Sequence, residues 1–157
     1  MNEVYIVSMA RTPIGSLSGV LSQLSAVQLG TQAIKKAIER AGIKGTDVEE
    51  VIMGNVIQAN NGQAPARQAA LAAGVHANAT VTTVNKVCAS GMKAIIYAAQ
   101  SIMLGDKNIV VAGGMESMTN APYMIASGRN GYRYGNGELA DAIVRDALQD
   151  PYNKEMM

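Results

Sequence analysis

Short β-branched runs alternate with helical patterns along most of this chain, and that alternation constrains the fold more than any other feature. Val4–Val7, Val51–Ile57, Val81–Val87 and Ile109–Ala112 read as strands. The last is a continuous apolar run of the kind found in a central parallel strand. Between the runs, apolar residues recur at three- and four-residue steps. Ser25 is the expected N-cap of a helix through Ala41, striped by Val27, Ala33, Ile34, Ala37 and Ile38 and ended by Gly42. An alanine-rich helix over Ala64–Ala73 holds Pro65 in its first turn, where a missing N–H costs nothing, and stops at Gly74. A third runs from Ala89 to Leu104, with Met92, Ile95, Ile96, Ala99 and Met103 as its stripe and Gly105 beyond. Strand, helix, strand in this order is the signature of an α/β fold, a mostly parallel sheet with helices on both faces.

Composition narrows the function classes. At 157 residues the chain holds one ordinary core, and 13 Lys and Arg balance 12 Asp and Glu. No basic field argues for nucleic acid or an anionic membrane, and the apolar runs are too interrupted to suggest a bilayer span. One cysteine excludes an internal disulfide framework and fits a reducing compartment. Met1–Val4 leads straight toward the first strand, with no secretory apolar core and no Arg-rich leader. Trp and Phe are absent, so core volume must come from Val, Ile, Leu, Ala and 10 Met, the methionines as gap fillers. The Gly15 and Gly19 loop lacks the Gly-Lys-Ser/Thr of a phosphate loop. From Ser117 onward, Gly128, Gly131, Gly135 and Gly137 interleave with Tyr123, Tyr132 and Tyr134, the composition of an irregular insertion. One amphipathic helix, about Glu138 to Gln149, is expected within it.

Cys88 sits where the third strand stops and the third helix starts. The first N–H groups of a helix and the positive end of its dipole favour a thiolate there. Ala89, Ser90 and Gly91 keep the turn uncluttered, in the manner of a strand–nucleophile–helix elbow. Two readings stand on the residues alone, a buried structural cysteine and a nucleophile. Arg67 reads as a structural hydrogen-bonding group near a helix start. His76, the lone histidine, reads as an exposed loop residue that nothing places beside Cys88.

The run Asn85-Lys86-Val87-Cys88-Ala89-Ser90-Gly91-Met92-Lys93-Ala94 resembles the nucleophile segment of thiolases, and of acetyl-CoA acetyltransferases in particular. Arg11-Thr12-Pro13-Ile14-Gly15, Gly62-Gln63-Ala64-Pro65-Ala66-Arg67-Gln68 and Ala112-Gly113-Gly114-Met115-Glu116-Ser117-Met118 resemble the same family in the same order. The likeness runs from Glu3 to the last residue. It implies a thiolase-like N-terminal half, with residues 1–116 as the α/β domain and 117–157 as the start of an inserted loop domain that binds coenzyme A. It further implies that Cys88 is acylated, and that Leu148 and Met157 line the pantetheine channel. Met156 departs from the family, standing where relatives often carry histidine. The substrates implied are acetyl-CoA and acetoacetyl-CoA, with coenzyme A as product, and no metal or redox cofactor. A homodimer or homotetramer is implied as well, paired through the Val81–Val87 strand.

In this family a histidine activates the nucleophile, a second cysteine handles the α-proton, and an asparagine–histidine pair holds the thioester oxygens. Those segments do not occur here. The resemblance therefore implies the N-terminal portion of a longer enzyme, inactive by itself. Tyr152-Asn153-Lys154 and the helix before it look most like mitochondrial members, with the cytoplasm as the alternative compartment. A non-catalytic dimerisation module and a redox-sensing cysteine protein are the rival classes. A ketoacyl-synthase-like condensing enzyme shares the fold, but the Cys88 flanks match thiolases better.

Overall fold

The computed structural model describes Met1–Met157. Helix α1 spans Ala26–Ala41, strand β1 Glu50–Gly54, helix α2 Pro65–Ala72, strand β2 Thr80–Val84, helix α3 Ser90–Leu104 and strand β3 Val110–Gly114. The start of α1 is a capping box: Gln28 N donates to the Ser25 side chain at 3.2 Å, and Ser25 N donates to the Gln28 side chain at 2.9 Å. Gly42 closes it in the left-handed region at φ 68°.

The three strands form one parallel sheet in the order β2-β1-β3, with Val51 level with Val81 and Val111, and Gly54 level with Val84 and Gly114. Helices cover both faces, as expected. Val51 and Met53 face α1 and α2, packing with Ile34, Ile38, Ala66, Ala69, Ala70 and Met115. Ile52 points the other way, onto Ala94 and Ala98 of α3. That alternation buries β1 on both sides, which is why its sequence is apolar throughout.

Several expectations need correction. Val4–Val7 forms no strand; Tyr5, Ile6 and Val7 are exposed, and the segment is tied only at its ends, Asn2 to the end of α3 and Ser8 to Ala37 of α1. A β-branched run supplies propensity, but a strand also needs a neighbour to share its ladder. The Ile109–Ala112 run, expected at the sheet centre, lies at an edge, and β1 takes the centre. Apolarity reports that two faces are covered, and says nothing of how many edges are paired. The strands also end earlier than their apolar patterns, at Gly54 and Val84.

The amphipathic helix expected over Glu138–Gln149 is shortened to helical residues 142–148, with a π turn over Val144–Leu148, and is preceded by a two-residue strand β5 (Ala140–Asp141) paired antiparallel with β4 (Tyr123–Met124). Ala142 N donates to Pro122 O, and Ile143 N donates to Asp141 Oδ1 at 2.9 Å. The first bond keeps Ala140–Asp141 on the β4 ladder, and the second is an N-cap contact that delays the helical turn to Ala142. The apolar stripe of α3 points the wrong way as well. Its buried residues are Ser90, Ala94 and Ala98, while Met92, Ile95, Ile96 and Met103 are exposed. Small residues lie inward because α3 approaches the strands closely. Val87–Leu104 reaches a mean hydropathy of 1.4, long and apolar enough by composition to cross a membrane, contrary to the expectation for this chain. Its seat on β1 and β3 is that of a sheet-covering helix.

Candidate active site

The carboxyl ends of the parallel strands converge on glycines. A Cβ on Gly54 would lie 2.7 Å from Gly91 N and from Ser90 Cβ, and one on Gly114 would lie 3.4 Å from Gly91 Cα. Bare backbone at these points lets the first turn of α3 sit directly on the sheet edge. This is the edge at which open α/β sheets place their ligands.

Cys88 lies in the turn that feeds this helix start. It is exposed, it is a free thiol, and it stands one residue before the N-cap Ala89 rather than within the helix. The turn is tied from both sides. Ser90 Oγ accepts from Lys86 N at 2.8 Å and donates to Val87 O at 2.6 Å, while Val87 N donates to Asn85 Oδ1 at 2.9 Å. Ala89 N and Ser90 N close onto Lys86 O and Val87 O. Val87 is held at φ 48°, a region β-branched residues rarely enter, at a cost of about 1–3 kcal/mol. The N–H of Cys88 makes no hydrogen bond within the chain. The result is an exposed thiol on a braced knuckle with a free donor beside it, the arrangement an acyl-accepting nucleophile requires.

A cleft of about 580 Å³ opens at the same edge, between the Ala10–Leu17 loop, α1 and the Gly114–Thr119 segment. Asn120 Nδ2 donates to Ser22 O and Leu24 O, each at 3.0 Å, and Ser117 Oγ donates to Leu24 O at 2.8 Å. These bonds pin the segment after β3 to the loop before α1. Arg11 through Gly15 and Met115 through Met118, two of the motifs singled out in the sequence, thus line one cavity. Leu148 lines it too. Met157 does not; it is exposed, though its N–H donates to Leu148 O at 3.0 Å. Cys88 is outside the cleft lining, on the α3 side of the same strand ends.

The remaining candidates fall as the residues suggested. Arg67 donates to the carbonyls of Ala77 and Ala79 at 2.9 and 3.4 Å, a structural tie between α2 and the lead-in to β2. His76 is exposed, and its ring accepts only from Asn78 N. The sequence reading missed Glu116 and Asn55. Asn55 is buried, and its Nδ2 donates to Met115 O at 3.2 Å and to Glu116 Oε1 at 2.8 Å. Glu116 Oε2 accepts from Val56 N at 2.8 Å and Ile57 N at 3.4 Å. Burial pushes the Glu116 carboxyl above its ordinary range, against the pull of those donors. A carboxylate directly after an apolar strand was the available signal, since burying one without partners is expensive.

Comparison with known proteins gives consistent results. The sequence profile of the thiolase N-terminal domain matches residues 4–157. A mitochondrial acetyl-CoA acetyltransferase of Xenopus tropicalis is 58% identical over 154 residues, covering 98% of this chain and 36% of that protein. A cytosolic acetyl-CoA acetyltransferase of Gibberella zeae is also 58% identical over 154 residues, covering 98% of this chain and 39% of the relative. Among solved structures, a thiolase of Ascaris suum in complex with coenzyme A superposes with a TM-score of 0.93 at 44% identity, over 97% of this chain and 39% of that one. The chain thus spans well under half the length of the curated relatives it matches.

Proposed function

This chain belongs to the thiolase family, whose N-terminal domain it carries, and from that premise we propose that it supplies the acyl-accepting cysteine of an acetyl-CoA acetyltransferase. Cys88 Sγ, as thiolate, attacks the thioester carbonyl of acetyl-CoA. The oxyanion of the tetrahedral intermediate accepts a hydrogen bond from the free N–H of Cys88, and collapse expels coenzyme A as its thiolate. A second acetyl-CoA, deprotonated at its α-carbon, attacks the acetyl-cysteine. The carbon–carbon bond forms, the cysteine leaves, and acetoacetyl-CoA is released. The reverse sequence is thiolysis. Sulfur suits both directions because it is nucleophilic near neutral pH and a good leaving group. The substrates are coenzyme A thioesters, and the scheme calls on no metal and no redox cofactor.

The single observation that carries this reading is the braced, exposed Cys88 with its unpaired N–H, in a segment that matches the family throughout. Leu148, on the cleft wall, and Met157, tied to it through the backbone, are the side chains we assign to the pantetheine arm. Assembly through β2 fits the same picture: it is an edge strand with Thr80 and Thr82 exposed, free to pair with a second copy in a homodimer or a homotetramer built from such pairs. Relatives named mitochondrial and cytosolic match at the same identity. The mitochondrial compartment is the finer proposal, supported by Tyr152-Asn153-Lys154. The test is to incubate the full-length protein with acetyl-CoA and locate the acetyl group by mass spectrometry. It should be on Cys88, and Cys88→Ala should abolish acetoacetyl-CoA formation. An acetyl group on another residue, with Cys88→Ala still active, would overturn the assignment.

A further inference from the structure

Three hydrogen bonds connect a carboxylate on one side of the sheet edge to the residue that precedes Cys88. Glu116 Oε2 holds Val56 N at 2.8 Å. Val56 O in turn accepts from Asn85 Nδ2 at 3.4 Å, and Asn85 Oδ1 accepts from Val87 N at 2.9 Å. The other oxygen of Glu116 accepts from Asn55 Nδ2, and Asn55 N donates to Val84 O at 3.0 Å, which locks the ends of β1 and β2 together. We propose that Glu116 is a positioning residue for Cys88, acting through Val56 and Asn85 to hold the Val87–Cys88 turn in its strained conformation. This rests on the reading of Cys88 as the acylated residue.

Two features mark the relay as more than incidental packing. Val87 in the left-handed region persists only where its surroundings over-determine it, and the Asn85 side chain is the group that holds its N–H. At the other end, Asn55 Oδ1 is buried without a hydrogen-bond partner. An orphaned acceptor costs about 1–3 kcal/mol. Turning the amide over would not satisfy Oδ1, because it would then face Met115 O and the Glu116 carboxylate, both acceptors. The fold retains the orphan in order to keep Nδ2 on Glu116, so two unfavourable local states lie at opposite ends of one hydrogen-bonded path. Glu116 itself does not contact Cys88. It sets where the thiol and its N–H stand, and a displacement of about 1 Å at a reacting atom can cost about a hundredfold in rate.

The experiment uses the full-length protein with Glu116→Gln, Asn85→Ala and the double variant. Hydrogen exchange of the Val87 amide is measured together with the rate of Cys88 acetylation by acetyl-CoA. Glu116→Gln preserves shape but turns an N–H toward donors, so the relay predicts exchange at Val87 at least about tenfold faster. Acetylation should slow about ten- to a hundredfold through kcat, with KM little changed. Asn85→Ala should reproduce both effects, and the double variant should be no slower than the slower single one, because the two lie on one path. Unchanged Val87 exchange in Glu116→Gln overturns the relay. Faster exchange with unchanged acetylation overturns the positioning role, as do effects that simply multiply in the double variant. If Glu116→Gln does not fold, Asn85→Ala decides alone, since Asn85 is exposed and outside the core. If the unsubstituted protein is not acetylated at Cys88, the functional reading falls, and Val87 exchange still decides whether the relay exists.

Discussion

The two faces of the sheet are built differently. The face under α1 and α2 holds a cluster of 12 buried residues, large branched side chains interlocked with the alanines of α2, and excludes water by itself. The face under α3 holds 3 buried residues, and α3 meets the strands through Ser90, Ala94 and Ala98. Its large apolar side chains, Met92, Ile95, Ile96 and Leu104 among them, look outward. Stability is concentrated on the first face, and the second trades side-chain volume for closeness of approach. Only a helix lined with small residues can bring its N-terminus against Gly54 and Gly114, and only from that distance does the turn before it present Cys88 at the strand ends. The weaker face is the one that presents Cys88, the residue proposed to be acylated.

This contrast can be broken by substitution, the largest effect first. Ile34→Ala removes a side chain that is 2% exposed at the centre of the α1 and α2 face, and should cost about 2–5 kcal/mol in a denaturation measurement on the full-length protein. A loss below about 1 kcal/mol would mean that this face is not the principal core. Gly54→Ala tests the other side. Its new Cβ meets backbone at 2.7 Å, so α3 must shift, at a cost of about 1–3 kcal/mol and with slower acetylation of Cys88. Gly30→Ala is the comparison, because the nearest atom there is the Met115 Sδ at 2.5 Å, part of a flexible side chain and not backbone, and the cost should be smaller. Equal losses in both would show that closeness at the strand ends has no special role. The smallest effect should be Met92→Ser, at a residue 63% exposed, within about 0.5 kcal/mol. A loss above about 2 kcal/mol would show that the outer face of α3 is covered in solution and belongs to a larger core.

Much of the fold was legible because its signals are local. Ser25 and Gly42 bound α1 through caps that involve only neighbouring residues, and Gly105 ends α3 at φ 83° for the same reason. The strand–helix alternation was enough for a parallel sheet with covered faces, and Cys88 at a strand-to-helix turn followed from the change of period on either side of it. Where the reading failed, a distant partner decided. Val4–Val7 has strand propensity and no ladder, and Ala140–Asp141 have helical periodicity but pair with Tyr123–Met124, so the helical turn begins only at Ala142. The stripe of α3 misled because apolar periodicity identifies a hydrophobic side without saying which neighbour it meets.

The sequence by itself therefore determined the limits of α1, α2 and α3, the α/β class, the family and the place of the lone thiol at a strand-to-helix turn, all properties of residues close together in the chain or of a motif as a whole. Tertiary structure decided that β1 and not β3 is central, which side of α3 faces the sheet, and that Glu116 and Asn55, 61 residues apart, meet behind the Cys88 turn. Pairing, approach and buried hydrogen bonding depend on separations through space, and two residues carry no local mark of the partner that the folded chain will bring to them.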